Sequence, residues 1–177
     1  MTRIETPTVT HEMSRLNILT GIPFEQFCAD FEAAAPAFVP EVFDRCETWD
    51  DVVDTMSTFA PHGLTIYARL DTRQMLALSG THVQAIEYLL GNHVIAETMF
   101  RHDPNALLYA PLRVLVYSDN AGDAVFAIDR PSTVFAGLGK NEIARTGHLL
   151  DEKVAGVLGA VGVDVGDALA ATRAHQG

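Results

Sequence analysis

Two kinds of hydrophobic spacing run along this chain, and each predicts a different type of element. Apolar and polar residues alternate from Leu64 to Asp71, which is typical of a strand with one buried face. Further strands are predicted over residues 83–90, 112–117 and 124–128. The last two flank a short loop that contains Gly122, and a loop of this kind favours an antiparallel hairpin.

Helical spacing of three and four residues occurs between and around these strands. The first helix begins at Pro23 and ends before Pro36, because proline suits a first helical turn but breaks a helix interior. Its apolar face carries Phe24, Phe27, Cys28 and Phe31. Further helices are predicted over residues 48–59, 72–78, 94–101 and 141–161. The long last helix has an apolar stripe that packs on the sheet or on a partner chain.

These elements predict an α+β fold, in which one small, mainly antiparallel sheet is covered by helices, with extra helices at the N-terminal and C-terminal ends. A chain of 177 residues is long enough to bury a core without disulfides or metal. We predict a polar N-terminal arm over residues 1–20, a single domain over residues 21–162 and a C-terminal tail over residues 163–177.

Composition and charge narrow the classes of function. The formal net charge is −11 and the pI is about 4.9, so the surface repels nucleic acid and anionic membranes. No stretch reaches the roughly 18 apolar residues of a membrane span, and the first residues lack the apolar segment of a secretion signal. Cys28 and Cys46 form no closely spaced metal pair. We therefore expect a cytoplasmic protein with no nucleic-acid or membrane partner.

Four segments together resemble a known family. They are residues 88–99, 101–104, 107–117 and 129–132, and they include Gly91-Asn92-His93 and Asp129-Arg130-Pro131-Ser132. In this order they resemble the domain-of-unknown-function family 302 over about residues 50–135, and more weakly through residues 149–154. The resemblance implies a compact α+β fold and homodimers. It implies no established activity.

His93 departs from the family pattern, in which proline often follows Gly-Asn. Proline at a first helical position is structural, whereas histidine places a titratable ligand there. His93 and Glu97 are four residues apart, so a helix over residues 94–101 puts them on one face. Imidazole and carboxylate can bind a metal together, or act as a base and its orienting partner. Alternatively, His93 bonds locally and Glu97 is solvated.

A metal at His93 needs at least a third ligand, which His82 or Glu87 on the preceding strand can supply. A haem needs only one axial histidine in an apolar pocket, and Leu89 and Ile95 are among the apolar neighbours of His93. Apolar neighbours are equally what a protein core requires. The sequence leaves the cofactor unknown, with His93 as the candidate metal ligand.

Arg113 and Tyr117 are four residues apart on a predicted strand, so their side chains share one face. A guanidinium and a phenol, with Tyr109 nearby, can hold a carboxylate or phosphate of a small ligand. An ion pair of Arg113 with Glu87 or Asp129 explains the same residues without a ligand.

Three functional hypotheses are open at this point. The first is a homodimer that binds a small ligand, haem and metal included, between the sheet and the helix over residues 94–101. Its candidate contacts are Asn92, His93, Glu97, Tyr109 and Arg113. The second is an enzyme, in which His93 is the general base, Glu97 orients it and Arg113 holds an anion. The third is an interaction subunit without its own ligand, which dimerises through the stripe from Ile143 to Val161.

Overall fold

A five-stranded antiparallel sheet forms the centre of the fold. The computed structural model describes residues 8–170. Within them, the sheet contains β1 (Arg15–Pro23), β2 (Thr65–Asp71), β3 (Ala85–Gly91), β4 (Leu112–Ser118) and β5 (Asp123–Asp129). The strands lie in the order β1-β5-β4-β3-β2, and every neighbouring pair is antiparallel. The predicted α+β class with a mainly antiparallel sheet is therefore confirmed.

Seven α-helices connect and cover the strands in the described part of the chain. They are α1 (Phe24–Ala34), α2 (Trp49–Phe59), α3 (Arg73–Ala77), α4 (His93–Phe100), α5 (Pro131–Ala136), α6 (Asn141–Ala160) and α7 (Gly166–Ala170). The start of α2 is fixed by a capping box, in which the Thr48 hydroxyl accepts from the Asp51 N–H and the Asp51 carboxylate accepts from the Thr48 N–H. No helix among these is long and apolar enough to cross a membrane.

The core lies between one face of the sheet and the helices α1 and α6. Alternate residues of the strands point into it, as in the cross-strand row of Ile18, Phe126, Val116 and Ile86. Phe27 and Phe31 of α1 are fully buried. The Phe31 ring centre lies 5.2 Å from that of Tyr88 and 5.7 Å from that of Phe126, which is the spacing of favourable edge-to-face pairs. Aromatic contacts therefore hold α1 on the sheet.

The apolar stripe of α6 belongs to this core. Its residues Ile143, Leu150, Val154 and Val157 are at most 3% exposed. Gly147 lets α5 approach closely, because a Cβ at that position would lie 3.0 Å from the Ser132 Cα. The hypothesis that this stripe is free to form a dimer surface is wrong, because the stripe covers the chain's own sheet and α5.

A buried ion pair fastens the C-terminal segment to the core. Asp151 on α6 is 2% exposed and Arg130 is 8% exposed. Arg130 Nε donates to Asp151 Oδ2 at 3.3 Å, and Asp151 Oδ1 accepts from the Ser132 N–H at 3.0 Å. The guanidinium also donates to the carbonyl oxygen of Leu169 at 2.6 Å. Arg130 therefore links the end of β5 to both α6 and α7.

The prediction of a polar N-terminal arm is wrong from residue 15 onward. Arg15–Pro23 form the edge strand β1, in which Ile18 pairs with Phe126 of β5. Exposed and half-buried residues alternate along the whole strand, so one side of it packs on the core. The apolar Leu19 at an exposed position and the polar Thr20 at a half-buried one hid this alternation in the sequence. Residues 1–7 of the predicted arm lie outside the described residues.

The predicted C-terminal tail is likewise wrong where it begins. Val163, Val165 and Leu169 are at most 7% exposed, and α7 lies within the segment. The core therefore extends past both domain boundaries predicted at residues 21 and 162. Residues 171–177 of the predicted tail lie outside the described part of the chain.

The other side of the sheet, which we call the open face, has exposed apolar side chains. One row across it consists of Leu70, Glu87, Leu115, Ala127 and Asn17. Leu70 is 48% exposed and Leu115 is 40% exposed. Arg15 pairs with Asp129 in the next row, and Arg113 of that row pairs with Glu87 of the first, each with a closest distance of 2.8 Å. The open face thus combines leucines with balanced charge.

Candidate functional site

Asn92 follows β3 and caps α4. Its Oδ1 accepts from the N–H groups of Val94 at 2.8 Å and Ile95 at 3.2 Å, so it satisfies two of the four free donors at the helix start. Its Nδ2 donates to the carbonyl oxygen of Gly63 at 2.9 Å. The sequence predicts Asn92 as a ligand contact, whereas in the fold both polar groups of its side chain bond to the backbone.

His93 is the first residue of α4, and Tyr67 on β2 holds its imidazole. Tyr67 Oη lies 2.7 Å from His93 Nδ1, and the Phe38 ring centre lies 5.0 Å from the imidazole centre. Partial burial lowers the pKa of His93 below its ordinary value. Burial raises the pKa of Tyr67. At neutral pH the imidazole is therefore uncharged and the phenol keeps its proton.

The second imidazole nitrogen, Nε2, forms no hydrogen bond with any group of residues 8–170, and the side chain is exposed at the surface. When Tyr67 donates to Nδ1, the ring proton is on Nε2, which then donates outward; in the other tautomer Nε2 accepts. A fixed, uncharged imidazole thus presents one free polar atom.

Beside His93 lies a groove of about 460 Å³, which we call the aromatic groove. Its walls include Phe38, Phe43, Trp49, His93, Phe100 and Leu107. Trp49, Phe100 and Leu107 are between 45% and 49% exposed. A concave group of exposed apolar side chains around few polar atoms is typical of a binding site.

Glu97 also lines the aromatic groove, but it does not orient His93. Its carboxylate accepts from Arg101 Nε at 3.0 Å, and a second, shorter contact joins the same two groups. His93 and Glu97 thus share a face of α4, as their spacing predicts. The partner of the imidazole is Tyr67, which comes from a different strand.

A second groove of about 300 Å³, the aliphatic groove, adjoins the first. The two grooves share His93, Ala96 and Leu107. The other walls of the aliphatic groove include Leu90, Ile95, Met99, Pro111 and Leu150. Gly91 lies at its edge, where a Cβ would be 3.0 Å from the Tyr67 ring. The start of α4 therefore borders two apolar depressions that share the imidazole as part of their walls.

Tyr109 and Arg113 line neither of these grooves. Both line a third depression of about 230 Å³, together with Met13 and Asp129, and this depression shares Pro111 and Leu112 with the aliphatic groove. Arg113 Nε pairs with Glu87 Oε1 at 2.8 Å on the open face, and Tyr109 packs edge-on against His11 and Phe135. The structure therefore brings together Asn92, His93 and Glu97, and it places Tyr109 and Arg113 elsewhere.

The additional metal ligands proposed from the sequence are not near His93. His82 lines a polar depression with Asp71 and Arg73, and Glu87 is on the open face. Residues 8–170 contain no group of three or more His, Cys, Asp or Glu side chains that could hold a metal ion. His93 can therefore contribute a single coordinating nitrogen, without further protein ligands from the described residues.

Comparison with known proteins places the chain in a family. A family model described as a domain of unknown function, DUF302, matches residues 45–161. This chain belongs to the DUF302 family. A crystal structure of an uncharacterized conserved DUF302 protein from Bacillus stearothermophilus has a similar fold, with a TM-score of 0.58 and 11% identity over 84% of this chain and 97% of that chain. No curated protein matches the chain.

In this DUF302 protein, the aromatic groove is built from two parts of the chain. Trp49, His93 and Phe100 lie within the matched residues, whereas Phe38 and Phe43 precede residue 45. The Phe38 ring centre is 4.7 Å from that of Tyr67 and 5.5 Å from that of Phe43. The segment before the matched region thus supplies one aromatic wall.

Sequence reasoning missed Tyr67, Phe38 and Phe43 as site residues. In the sequence, the alternation over residues 64–71 places Tyr67 opposite its apolar neighbours, which is a usable signal for a residue outside the core, although a β-bulge between Ile66 and Ala68 interrupts the alternation in the fold. Phe38 and Phe43 flank Pro40 in a segment without helical or strand periodicity. Two aromatic residues in such an irregular segment indicate that the segment packs against the rest of the protein.

Proposed function

We propose that this DUF302 protein is a cytoplasmic homodimer that binds a small, largely apolar ligand in the aromatic groove. The observation that supports this most is the imidazole of His93, held by Tyr67 at the edge of an apolar groove of about 460 Å³. Ligand sites of about 300–1,000 Å³ commonly combine apolar walls with a few oriented polar groups. The free thiols of Cys28 and Cys46 agree with a reducing compartment.

The roles of the candidate residues follow from their places in the fold. We assign His93 as the polar contact of the ligand, through Nε2. Asn92 acts indirectly, because its cap sets where α4 begins and so where His93 stands. Glu97, bonded to Arg101, forms part of the rim. Tyr109 and Arg113 receive no role in this groove.

A haem or a metal ion fits the grooves less well than an uncharged organic molecule. His93 Nε2 can occupy one axial position of a haem iron, but a haem carries two carboxylates. The described side chains that line the two grooves include no lysine or arginine. A metal ion held by the protein alone needs further ligands, which the surroundings of His93 do not supply.

An enzyme is the second candidate, and one observation favours it. In the tautomer in which His93 Nδ1–H donates to Tyr67 Oη, Nε2 is a free acceptor, and the pair resembles a general base and its orienting partner. Tyr67 then orients the base, in place of Glu97. Arg113 does not line the aromatic groove, so it cannot hold a substrate that lies there. Turnover of any compound that persists in the His93→Pro variant would exclude His93 as its base.

Replacing His93 with proline is expected to weaken ligand binding without unfolding the protein. Asn92 has φ −154° and ψ 122°, which is the extended conformation that the residue before a proline adopts. A first helical position also needs no N–H donor. We expect the free energy of unfolding to stay within about 1 kcal/mol of the wild type. Loss of one ligand hydrogen bond should weaken binding about three- to tenfold.

The binding of Nile red, an uncharged apolar dye, can be followed through Trp49. Trp49 is the chain's single tryptophan and lines the aromatic groove, so its fluorescence reports occupancy. The matched control is His148→Ala, which removes an exposed histidine from α6 and should leave binding unchanged. Equal binding by the wild type and His93→Pro would remove His93 from the site. Absence of any change in Trp49 fluorescence up to millimolar concentrations of apolar probes would contradict the proposed function.

For the homodimer, we propose that two copies meet through the open face. Its exposed apolar residues are Leu19, Leu70 and Leu115. Its two arginines and two acidic residues balance, although the whole chain has a net charge of −11. A twofold axis can place each arginine of one copy opposite a carboxylate of the other, which makes the face complementary to itself.

Leu115→Arg is expected to convert the dimer to monomers. An unpaired charge at the centre of an interface loses its hydration, so we expect the dimer dissociation constant to rise at least about tenfold. Sedimentation velocity over a range of concentrations measures this. Leu149 on α6 is also 40% exposed, so Leu149→Arg is a matched control that should leave dimerisation intact. A wild type that is monomeric at every concentration would contradict the proposal.

A further inference from the structure

The two grooves at His93 have different chemistry. The aromatic groove is walled mainly by rings, with Phe38 and Phe43 stacked at an interplanar angle of 27°. The aliphatic groove is walled mainly by branched and straight apolar chains, such as Leu90, Met99 and Leu150. Flat rings pack well against aromatic walls, whereas a flexible chain adapts to an irregular aliphatic surface. Because His93, Ala96 and Leu107 line both grooves, the grooves are neighbours, and one molecule with two different parts can contact both.

The charge of the site disfavours an anionic ligand. Among the described residues that line the two grooves, Glu97 carries the sole full charge, and Arg101 already neutralises it. His93 is uncharged at neutral pH, and the chain as a whole has a net charge of −11. A carboxylate or phosphate would find no cation in either groove and would be repelled by the surrounding surface.

The site offers a ligand few hydrogen bonds where the two grooves adjoin. Nε2 of His93 offers one hydrogen bond, and Tyr67 Oη is already engaged with Nδ1. A single carbonyl on the ligand can accept from Nε2 when the ring proton is there. A ligand with many polar groups would leave most of them unpaired against apolar walls, at a cost for each.

We infer that the ligand is an uncharged compound with a flat conjugated ring, a ring carbonyl and an aliphatic chain, whose ring lies in the aromatic groove, whose carbonyl accepts from His93 Nε2 and whose chain lies in the aliphatic groove. The inference rests on the proposed function and adds the class of ligand. Two observations support the class of ligand. The walls differ on the two sides of His93, and no lysine or arginine is among the described residues that line the grooves.

Isothermal titration calorimetry of the full chain with three probes tests the inference. The probes are a fully substituted benzoquinone with a decyl chain, the same quinone with a methyl group in place of the decyl chain, and decanoate, which has the chain and a negative charge but no ring. Full substitution of the quinone ring prevents addition of the free thiols. We expect the decyl quinone to bind most tightly. Removal of the chain should weaken binding at least about tenfold, because each buried methylene contributes to affinity. Decanoate should bind at least about tenfold more weakly than the decyl quinone.

A variant separates the ring from the chain. Phe43 lines the aromatic groove and not the aliphatic groove. Phe43→Leu should therefore weaken the binding of both quinones by a similar factor. The ratio of their two dissociation constants, which measures the contribution of the chain, should stay unchanged. If Phe43→Leu abolished the difference in affinity between the two quinones and left the affinity of the quinone without the decyl chain unchanged, the assignment of ring and chain to the two grooves would be overturned.

The outcomes distinguish this inference from the proposed function. Decanoate that binds as tightly as the decyl quinone, or a chain that adds nothing, overturns the inference and leaves the proposed function standing. The same holds if none of the three probes binds while Nile red still changes Trp49 fluorescence. If Nile red and all three probes fail to bind the wild type, both the proposed function and the inference fall.

Discussion

Asp151→Asn is expected to lower the free energy of unfolding by about 3–5 kcal/mol, because it leaves the buried guanidinium of Arg130 without its counter-charge. The carboxylate of Asp151 is almost fully buried, and its two oxygens accept from Arg130 and from the Ser132 N–H. Water cannot replace it at that depth. Because Arg130 also bonds to the Leu169 carbonyl oxygen, the loss should appear as faster hydrogen exchange in α7 as well as in chemical denaturation.

Asp129→Asn is the matched control for this change. Asp129 precedes Arg130 in the chain and also pairs with an arginine, but its partner Arg15 is 64% exposed, so the expected loss is about 0–1 kcal/mol. The double variant Arg130→Met with Asp151→Leu should recover a large part of the lost stability, since neither charge is left unpaired. An Asp151→Asn variant no less stable than Asp129→Asn would show that the pair does not matter.

A fragment limited to residues 45–161, the region matched by the family model, is expected not to fold. It lacks β1, which pairs with β5, and α1, which brings Phe24, Phe27 and Phe31 into the core. Each buried phenylalanine lost from a core costs about 3–5 kcal/mol, and three of them approach the about 5–15 kcal/mol of a whole domain. Circular dichroism and thermal unfolding of the fragment measure this.

The appropriate comparison is a chain shortened to residues 8–170, which keeps every element that the structure describes. We expect it to unfold cooperatively, at a temperature within a few degrees of the full chain. If the 45–161 fragment gave an equally cooperative transition, the contribution of β1 and α1 to the core would be far smaller than their burial indicates.

The sequence predicted those elements whose signals are local. Alternation predicted β2, spacing and capping predicted α2 and α4, and the Gly122 loop predicted the β4–β5 hairpin. It did not predict β1, because an edge strand buries only one side and its exposed positions resemble a polar arm. What makes residues 15–23 a strand is the unpaired edge of β5, which lies about a hundred residues further along the chain.

For the candidate site too, the sequence predicted the local features and missed the contacts between distant segments. The position of His93 at a helix start and the cap at Asn92 follow from neighbouring residues, so both were within reach. The contact of His93 with Tyr67 and Phe38 depends on how β2 and the 36–49 segment meet α4, which no local pattern encodes. Arg113 was grouped with His93, although its alternation with the buried Leu112 and Val114 placed it on the far face of the sheet.

The pairing of β1 with β5 also has a consequence for biosynthesis. Pro23 at the end of β1 lies opposite Asp123 on β5, so the ribosome completes β1 long before it makes the strand's only partner in the described sheet. At roughly 5–20 residues per second, this interval is about 5–20 s. Throughout it, the phenylalanines of α1 lack the complete sheet that buries them in the folded protein, so the nascent chain keeps an apolar helix face exposed.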